Sequence, residues 1–235
     1  AWWWSPNGLQ PGSAPALLDP DGVVTTRDHL RDQIQGHAHT LIGRGVLRSD
    51  RLAMAMAPGP AMASALLAGM GVAAVAPLVP TSPLTIVLDD LQRLRATHIL
   101  VDAHTPAPIL EAADKLAVPV IELGTDFGRG TAAVAPEAED LALLLQTSGT
   151  TSRPKVVPLS HANLLASARH IAATLTLTPN DCSLAAMPLF HIHGIVASLL
   201  APLLAGGSVI CCRSNDPVDL VALLRRLKPT LLSGV

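Results

Sequence analysis

The amino-acid sequence predicts an α/β fold in which strands and helices alternate on mostly parallel sheets. Apolar residues make up 49% and charged residues 14% of the 235-residue chain, so the chain can bury a large aliphatic core. Short apolar runs interrupted by Pro and Gly are typical of the buried strands and helices around a parallel sheet. One such run, residues 141–145, carries no charge and ends abruptly in small and hydroxyl-bearing residues. This combination indicates a buried strand followed by a polar loop.

Strands and helices alternate regularly in the first half of the chain. Thr26 is suited to cap a first helix that ends near Ile42, because its hydroxyl group can accept a hydrogen bond from a free backbone N–H group. Segments 51–57, 72–79, 99–101 and 118–123 are predicted strands, and segments 61–70, 84–95 and 107–116 are predicted helices. The Gly-, Thr- and Ala-rich residues 124–138 are a predicted linker. We therefore expect an amino-terminal extension over residues 1–24 and a first α/β subdomain over residues 25–123.

A second α/β subdomain, predicted over residues 139–235, contains the polar loop. Ser160 is a candidate N-cap of a helix that begins at His161, and Asp216 of a helix that begins at Pro217. The other predicted elements are a strand that opens at residue 156, strands over 184–189, 208–212 and 230–233, and a helix over 194–204. Because the chain stops directly after a strand, where a helix or loop should follow, we expect this subdomain to be truncated.

The polar loop has the composition of a phosphate-binding site. Its small and hydroxyl-bearing residues are Thr147, Ser148, Gly149, Thr150, Thr151 and Ser152. Gly149 can adopt a positive φ angle and let the backbone approach a ligand, while backbone N–H and hydroxyl donors form a concavity that suits phosphate oxygens. Pro154 restricts the backbone that presents Lys155, which adds a positive charge. The alternative is an ordinary Ser/Thr-rich surface turn, which the same composition also describes.

Charge and cysteine content exclude several classes of function. A net charge of −2 without basic clusters argues against nucleic acid or an anionic membrane as the main partner. The long uncharged stretches 52–88 and 182–212 are interrupted by prolines, so no membrane span is predicted. Cys182, Cys211 and Cys212 show no CxxC spacing, and we expect reduced, buried thiols in a cytoplasmic protein.

Five histidines lie in two groups, one on the first helix and one near residue 192. His37 and His39 are two residues apart on the first helix, a spacing that does not place both on one helical face. We therefore expect both to lie at the surface. His191 and His193 have no third ligand spaced nearby, which disfavours a metal site there too. No metal-ligating residue is predicted.

The segment TSGTTSRPK closely resembles the phosphate-binding signature of the adenylate-forming superfamily, the AMP-dependent acyl-CoA synthetases and ligases. The resemblance extends over roughly residues 20–235, as expected for the amino-terminal part of the family's large domain. GVVTTRDHLRDQI is similar to the entry of the family's first helix, and PLFHIHGI, residues 188–195, is similar to its PLFH-x-x-G element. Ser152 and Arg153 fit best the subgroup that resembles oxalyl-CoA synthetases, which use small acids.

This resemblance implies a two-step reaction. A carboxylate attacks the α-phosphate of ATP to give an acyl-adenylate and pyrophosphate, and a thiol, usually that of coenzyme A, then displaces AMP. By resemblance, Lys155 and Thr150 would be catalytic, and residues 147–152 with Lys155 would hold the β- and γ-phosphates of ATP, which the family uses with Mg²⁺. His191 and Phe190 would line the pocket of the carboxylic acid. His193 is expected instead to be a structural, hydrogen-bonded imidazole.

Two departures from the family leave the function open at this point. Relatives usually have glycine directly after the loop lysine, where this chain has Val156. A β-branched residue would be strained at a positive φ angle but is well suited to an extended strand. The family's magnesium motif, ribose-binding aspartate and mobile carboxyl-terminal domain would lie beyond residue 235, so this chain alone is expected to be inactive. The alternatives are a truncated nucleotide-binding or interaction module without catalysis, and a misfolding-prone product without function.

Overall fold

A computed structural model describes residues 9–124, 135–147, 154–214 and 216–234. In chain order, the elements of these residues are β1 (Pro15–Leu18), β2 (Val24–Thr26), α1 (Arg27–Gly43), β3 (Arg51–Ala55), α2 (Pro60–Val72), β4 (Ala74–Pro77), α3 (Leu84–Leu94), β5 (His98–Val101), α4 (Ala107–Lys115), β6 (Val120–Glu122), β7 (Leu141–Thr147), β8 (Lys155–Ser160), α5 (His161–Thr174), β9 (Cys182–Ala185), a π-helical segment (Gly194–Leu200) that continues into α6 (Ala201–Leu204), β10 (Ser208–Cys211), α7 (Pro217–Leu227) and β11 (Leu231–Leu232). The predicted α/β fold with mostly parallel sheets is confirmed.

The chain forms two compact units, each with its own sheet. The six-stranded unit comprises Ile34–Ala57 and Ala65–His161, and its described strands lie in the order β6-β5-β3-β4-β7-β8. Every neighbouring pair in this sheet is parallel except β7 and β8, which are antiparallel. Small residues on β3 and β4, such as Ala53 and Ala76, are buried together with the apolar faces of α3 and α4. This packing gives the aliphatic core that the composition predicts.

The five-stranded unit comprises Ala1–Gln33, Pro58–Ser64 and Ala162–Val235. Across its described residues the strand order is β11-β9-β10-β1-β2, with β1 and β2 antiparallel and the other pairs parallel. Strands β1 and β2 were not predicted from the sequence, because both are very short and β1 pairs with β10, which is far away in the sequence. The predicted domain boundaries stay a prediction. In the structure β7 and β8 share one sheet with β3 to β6, although they were assigned to a different subdomain.

Helix ends follow the predicted capping signals. The hydroxyl oxygen of Thr26 accepts a hydrogen bond from the backbone N–H group of His29 at 3.2 Å, and α1 begins directly after it. Asp216 accepts a hydrogen bond from the N–H group of Val218 at 2.8 Å and caps α7. Helix α5 begins at His161, as predicted, while the capping role of Ser160 stays a prediction.

The prediction of surface positions for the histidines of α1 is wrong for His37. His29 is exposed and His39 is half-buried, but His37 is only 6% exposed. Burial lowers the pKa of His37 to about 4, because an imidazolium loses hydration in the interior. The two-residue spacing correctly placed the two side chains on different faces. It could not show which face was buried.

The cysteines are free thiols, and Cys211 and Cys212 are buried as predicted, whereas Cys182 is only half-buried. Burial raises the pKa of Cys212 to about 11 and raises the pKa of Cys211 further, so both thiols stay protonated at neutral pH. The cytoplasmic location stays a prediction. Within the described ranges, no helix has both the length and the apolar character needed to cross a bilayer.

Candidate functional site

The candidate site of the six-stranded unit lies where β7 and β8 meet the polar loop. Residues 142–145 are buried, and the chain becomes exposed at Thr147 and is exposed again at Lys155. The two strands pair with Thr147 opposite Lys155. Because β7 runs parallel to β4, Thr147 marks the carboxyl end of the parallel strands, the edge at which open α/β sheets bind ligands. The fold thus brings the first and last predicted phosphate ligands together.

The remaining loop positions lie outside the described residues. They are Ser148, Gly149, Thr150, Thr151, Ser152 and Arg153. Their assigned contacts with phosphate, including the catalytic role of Thr150, stay predictions.

Val156 occupies an extended position, which settles the alternative left open by the sequence. It lies within β8, opposite Gln146, and its half-buried side chain packs against the hydrophobic core of the six-stranded unit. An extended backbone suits a β-branched residue. Valine is therefore compatible with this strand, and the departure from the family pattern does not strain it.

A small polar network lies directly behind the two strand ends. The side-chain amide of Gln146 donates a hydrogen bond to the carboxylate of Asp90 on α3. Arg93, one turn further along α3, donates to Asp90 Oδ1 at 3.0 Å and to the backbone carbonyl of Pro154 at 3.2 Å, and it also pairs with Asp89. Burial raises the pKa of Asp90, and the contacts with Gln146 and Arg93 oppose this shift. The network therefore touches the residues that immediately precede both Thr147 and Lys155.

Sequence reasoning missed Asp90 and Arg93, although one signal was available. The buried positions of α3 are Val87, Asp90, Leu91 and Leu94, which is the spacing of a single helical face. A carboxylate at one of these apolar positions needs a partner, because burying an unpaired charge is very costly. One partner of Asp90, Arg93, lies three residues further along the same helix, but Gln146 lies more than fifty residues away in the sequence, as does Pro154, which accepts from Arg93.

The predicted acid-pocket residues lie on a tight turn of the five-stranded unit. Phe190 is half-buried and His191 is exposed, and their rings meet edge to face with centroids 4.6 Å apart. The N–H group of His191 donates to the carbonyl oxygen of Pro188 at 3.1 Å, which closes the turn. A Cβ atom on Gly194 would lie 2.3 Å from that same oxygen, so only glycine allows the helix to start so close to the turn. This packing gives a physical reason for the PLFH-x-x-G spacing.

His193 differs from His191 in its surroundings. Its Nε2 atom lies 2.6 Å from the hydroxyl oxygen of Ser233, beside β11, and its ring is half-buried. This contact agrees with the expected structural role of His193. The predicted strand over residues 184–189 is partly wrong, because β9 ends at Ala185 and the following residues form the turn that carries His191.

Neither of two cavities in the five-stranded unit is suited to a substrate. One, of about 30 Å³, lies among Pro58, Leu189 and Cys212 and holds about one water molecule. The other, of about 380 Å³, lies near Pro20, and its two arginines already have partners. Arg213 pairs with Asp19 and Asp21, and Arg226 donates to the Pro20 carbonyl. The assignment of Phe190 and His191 to an acid pocket stays a prediction.

Among the residues that the structure describes, no three His, Cys, Asp or Glu side chains come together in a way that could hold a metal ion. Among the described residues of the site, Lys155 and Arg93 carry positive charge, and Asp89 and Asp90 carry the carboxylates that pair with Arg93.

Comparison with known proteins decides the family. Residues 6–235 match the protein family described as AMP-binding enzyme, which is nearly the whole chain. The chain belongs to this family. Solved structures of the AMP-binding family share its fold: ATP-bound MatB from Rhodopseudomonas palustris has a TM-score of 0.86 and 26% identity, and the match covers 96% of this chain and 47% of that one.

Curated relatives of this AMP-binding chain are CoA ligases. An oxalate–CoA ligase of Arabidopsis thaliana is 42% identical over 107 residues, which are 46% of this chain and 21% of the relative. A medium-chain fatty-acid–CoA ligase of Escherichia coli is 28% identical over 242 residues, which cover 93% of this chain and 43% of the relative. The chain therefore spans less than half the length of these relatives.

Proposed function

We propose that this chain is the ATP phosphate-binding part of an AMP-forming acyl-CoA synthetase. The observation that carries the proposal is the pairing of Thr147 with Lys155 at the carboxyl end of the parallel strands in a member of the AMP-binding family. In the proposed reaction, a carboxylate attacks the α-phosphate of ATP and pyrophosphate leaves. Coenzyme A then attacks the acyl-adenylate and releases AMP.

Lys155 is suited to stabilise the leaving pyrophosphate. Its ammonium group is exposed beside Thr147, where it can meet a polyanion without losing an existing protein partner among the described contacts. Negative charge increases on the leaving group in the transition state, so a fixed cation there lowers the barrier. ATP would bring Mg²⁺ with it. No residue of the described chain is assigned to the metal.

The acid substrate is proposed to be small. The support is the similarity to an oxalate–CoA ligase, together with Ser152 and Arg153 in the loop sequence. An acid pocket at Phe190 and His191 remains part of this proposal. Coenzyme A, rather than a carrier protein, is proposed as the thiol acceptor because the curated relatives are CoA ligases.

The test is carboxylate-dependent ATP–pyrophosphate exchange by the polypeptide as it is isolated from its source cells. Lys155→Ala should reduce kcat/KM roughly ten- to a hundredfold, since a charge-assisted hydrogen bond contributes about 1.5–3 kcal/mol. Lys115→Ala is the matched control. It also removes one exposed lysine, which pairs only with Glu111 on α4 among the contacts described. Exchange that is unaffected by Lys155→Ala would contradict the assignment.

A second candidate is a nucleotide-binding module without catalysis. The residues that support it are the same pair, Thr147 and Lys155, which would bind phosphate in either function. Calorimetric titration with ATP separates the two functions. Binding that Lys155→Ala weakens, without any exchange activity, would favour the module. Comparing the mass of the native polypeptide with that of the 235-residue chain shows whether the later family motifs are present.

A further inference from the structure

One turn of α3 connects both ends of the polar loop. Gln146, the residue before Thr147, donates to Asp90, and Pro154, the residue before Lys155, accepts from Arg93 at 3.2 Å. Asp90 and Arg93 are themselves joined at 3.0 Å. We call Asp90 and Arg93 the α3 clamp. The α3 clamp forms a continuous chain of contacts from the end of β7 to the start of β8.

Burying charged groups in the α3 clamp costs folding free energy, which a purely structural contact between apolar residues would not. Asp90 is 9% exposed and lies on the apolar face of α3 between Val87 and Leu94. Asp90 and Arg93 form a partly buried ion pair, and such a pair adds little stability over apolar residues of similar size, because the charges lose part of their hydration. The planar guanidinium group of Arg93 donates hydrogen bonds in fixed directions. It donates to the carboxylate of Asp90 and to the carbonyl oxygen of Pro154 at the same time. This geometry fixes one strand end relative to the other.

We propose that Asp90 and Arg93 are positioning residues that hold Thr147 and Lys155 in the arrangement that stabilises pyrophosphate as it leaves. This inference rests on the proposed function. The α3 clamp does not contact ATP in this proposal. It acts through the backbone at Pro154 and through the side chain of Gln146. Because a misplacement of about 1 Å can reduce a rate about a hundredfold, loss of the clamp should reduce kcat more than it affects ATP binding.

The test compares three variants in the same ATP–pyrophosphate exchange assay. Arg93→Ala should lower kcat about tenfold or more with a smaller change in the KM for ATP. Arg93→Lys keeps the charge but cannot donate along two fixed directions, so it should restore only part of the rate. Asp89→Asn is the matched control. It removes the exposed carboxylate that pairs with Arg93 and leaves Asp90, Gln146 and Pro154 in contact, so it should retain the wild-type rate.

Hydrogen exchange measured on the same proteins gives a readout that does not depend on activity. The backbone N–H groups of Thr147 and Lys155 should exchange faster in Arg93→Ala than in Asp89→Asn, while the melting temperatures stay within a few degrees. If Arg93→Ala does not fold, Asp90→Asn provides the same comparison with a smaller change. Wild-type kcat in folded Arg93→Ala, with Lys155→Ala impaired, would overturn this inference alone. An unimpaired Lys155→Ala would overturn the proposed function and the inference with it.

Discussion

Gly194 is the residue at which backbone packing most clearly dictates side-chain size. Its position between the His191 turn and the π-helical segment leaves no room for a Cβ atom, since the carbonyl oxygens of Met187 and Pro188 would lie 2.5 Å and 2.3 Å away. Both obstructing atoms belong to the backbone, so they cannot move aside by a change of rotamer. The turn that carries Phe190 and His191 therefore depends on glycine at this position.

Gly194→Ala should lower the free energy of unfolding by about 1–3 kcal/mol, the usual cost of inserting an extra group into a packed region. Urea unfolding followed by circular dichroism measures this change. Gly43→Ala is the control. A Cβ atom on Gly43 at the end of α1 would meet nothing within 4 Å, so that variant should be close to neutral. Equal stability of the two variants would show that the turn can relax without cost.

The positions of candidate site residues were predictable where a local sequence pattern marked them, and were hidden where contacts between distant residues decided them. The sequence alone indicated Thr147 and Lys155, because a charge-free run ended in small and hydroxyl-bearing residues. The roles of Asp90 and Arg93 depend on Gln146 and on the carbonyl group of Pro154, which no local pattern relates to α3. Burial of His37 was likewise decided by packing rather than by spacing.

At the scale of elements, β8 explains how the chain tolerates valine after the loop lysine. β8 is an edge strand of the six-stranded sheet, and Pro158 within it cannot donate to a further strand. Val156 faces the core, whereas the next residue, Val157, is 37% exposed. Val156 is thus the packed residue of this pair, and Val157 the more solvated one.

Val156→Gly should destabilise the protein by about 1–2 kcal/mol, because it removes a half-buried apolar side chain and adds backbone freedom to the unfolded chain. Val157→Gly in the same strand changes the backbone in the same way but removes a more exposed side chain, so it should cost less. Chemical denaturation of both variants checks the difference. A Val156→Gly variant at least as stable as Val157→Gly would mean that packing at this position contributes little.

Most elements were predictable because their apolar periodicity is local. Helices α3 and α4 lie within one residue of their predicted bounds, and α7 begins at the predicted residue. Strands β1 and β2 were missed and β9 was misplaced, because a strand of a few residues is defined mainly by its partner. One partner of β1 is β10, where Leu17 pairs with Val209. Most of the sequence separates these two residues. The fold class could therefore be predicted from the alternation of strands and helices in the sequence. The order of the strands in each sheet could not, and is known only from the structure.

At the scale of the whole molecule, contacts between residues that are distant in the sequence also determine which stretches of the chain form each compact unit. Each compact unit is assembled from separated stretches of chain. Two buried histidines, His37 and His161, belong to the six-stranded unit. Burial is the main cause that lowers the pKa of each to about 4. We therefore expect both histidines to make the stability of the six-stranded unit depend on pH.

These pKa values predict that stability falls as the pH is lowered from about 6.5 to 4. An ordinary histidine has a pKa of about 6.5, so in this window the unfolded chain binds protons that the folded chain does not, and protonation favours unfolding. Each buried histidine should reduce the free energy of unfolding by up to about 1.4 kcal/mol per pH unit. His37→Gln should make the free energy of unfolding less dependent on pH, by the contribution of about one proton. Urea unfolding at pH 7, 6 and 5 measures this dependence. His104→Gln, at an exposed position in the same unit, is the control and should keep the wild-type dependence of the free energy of unfolding on pH.

If His37→Gln also keeps the wild-type dependence on pH, then His37 is charged in the folded protein, and its burial does not control acid stability.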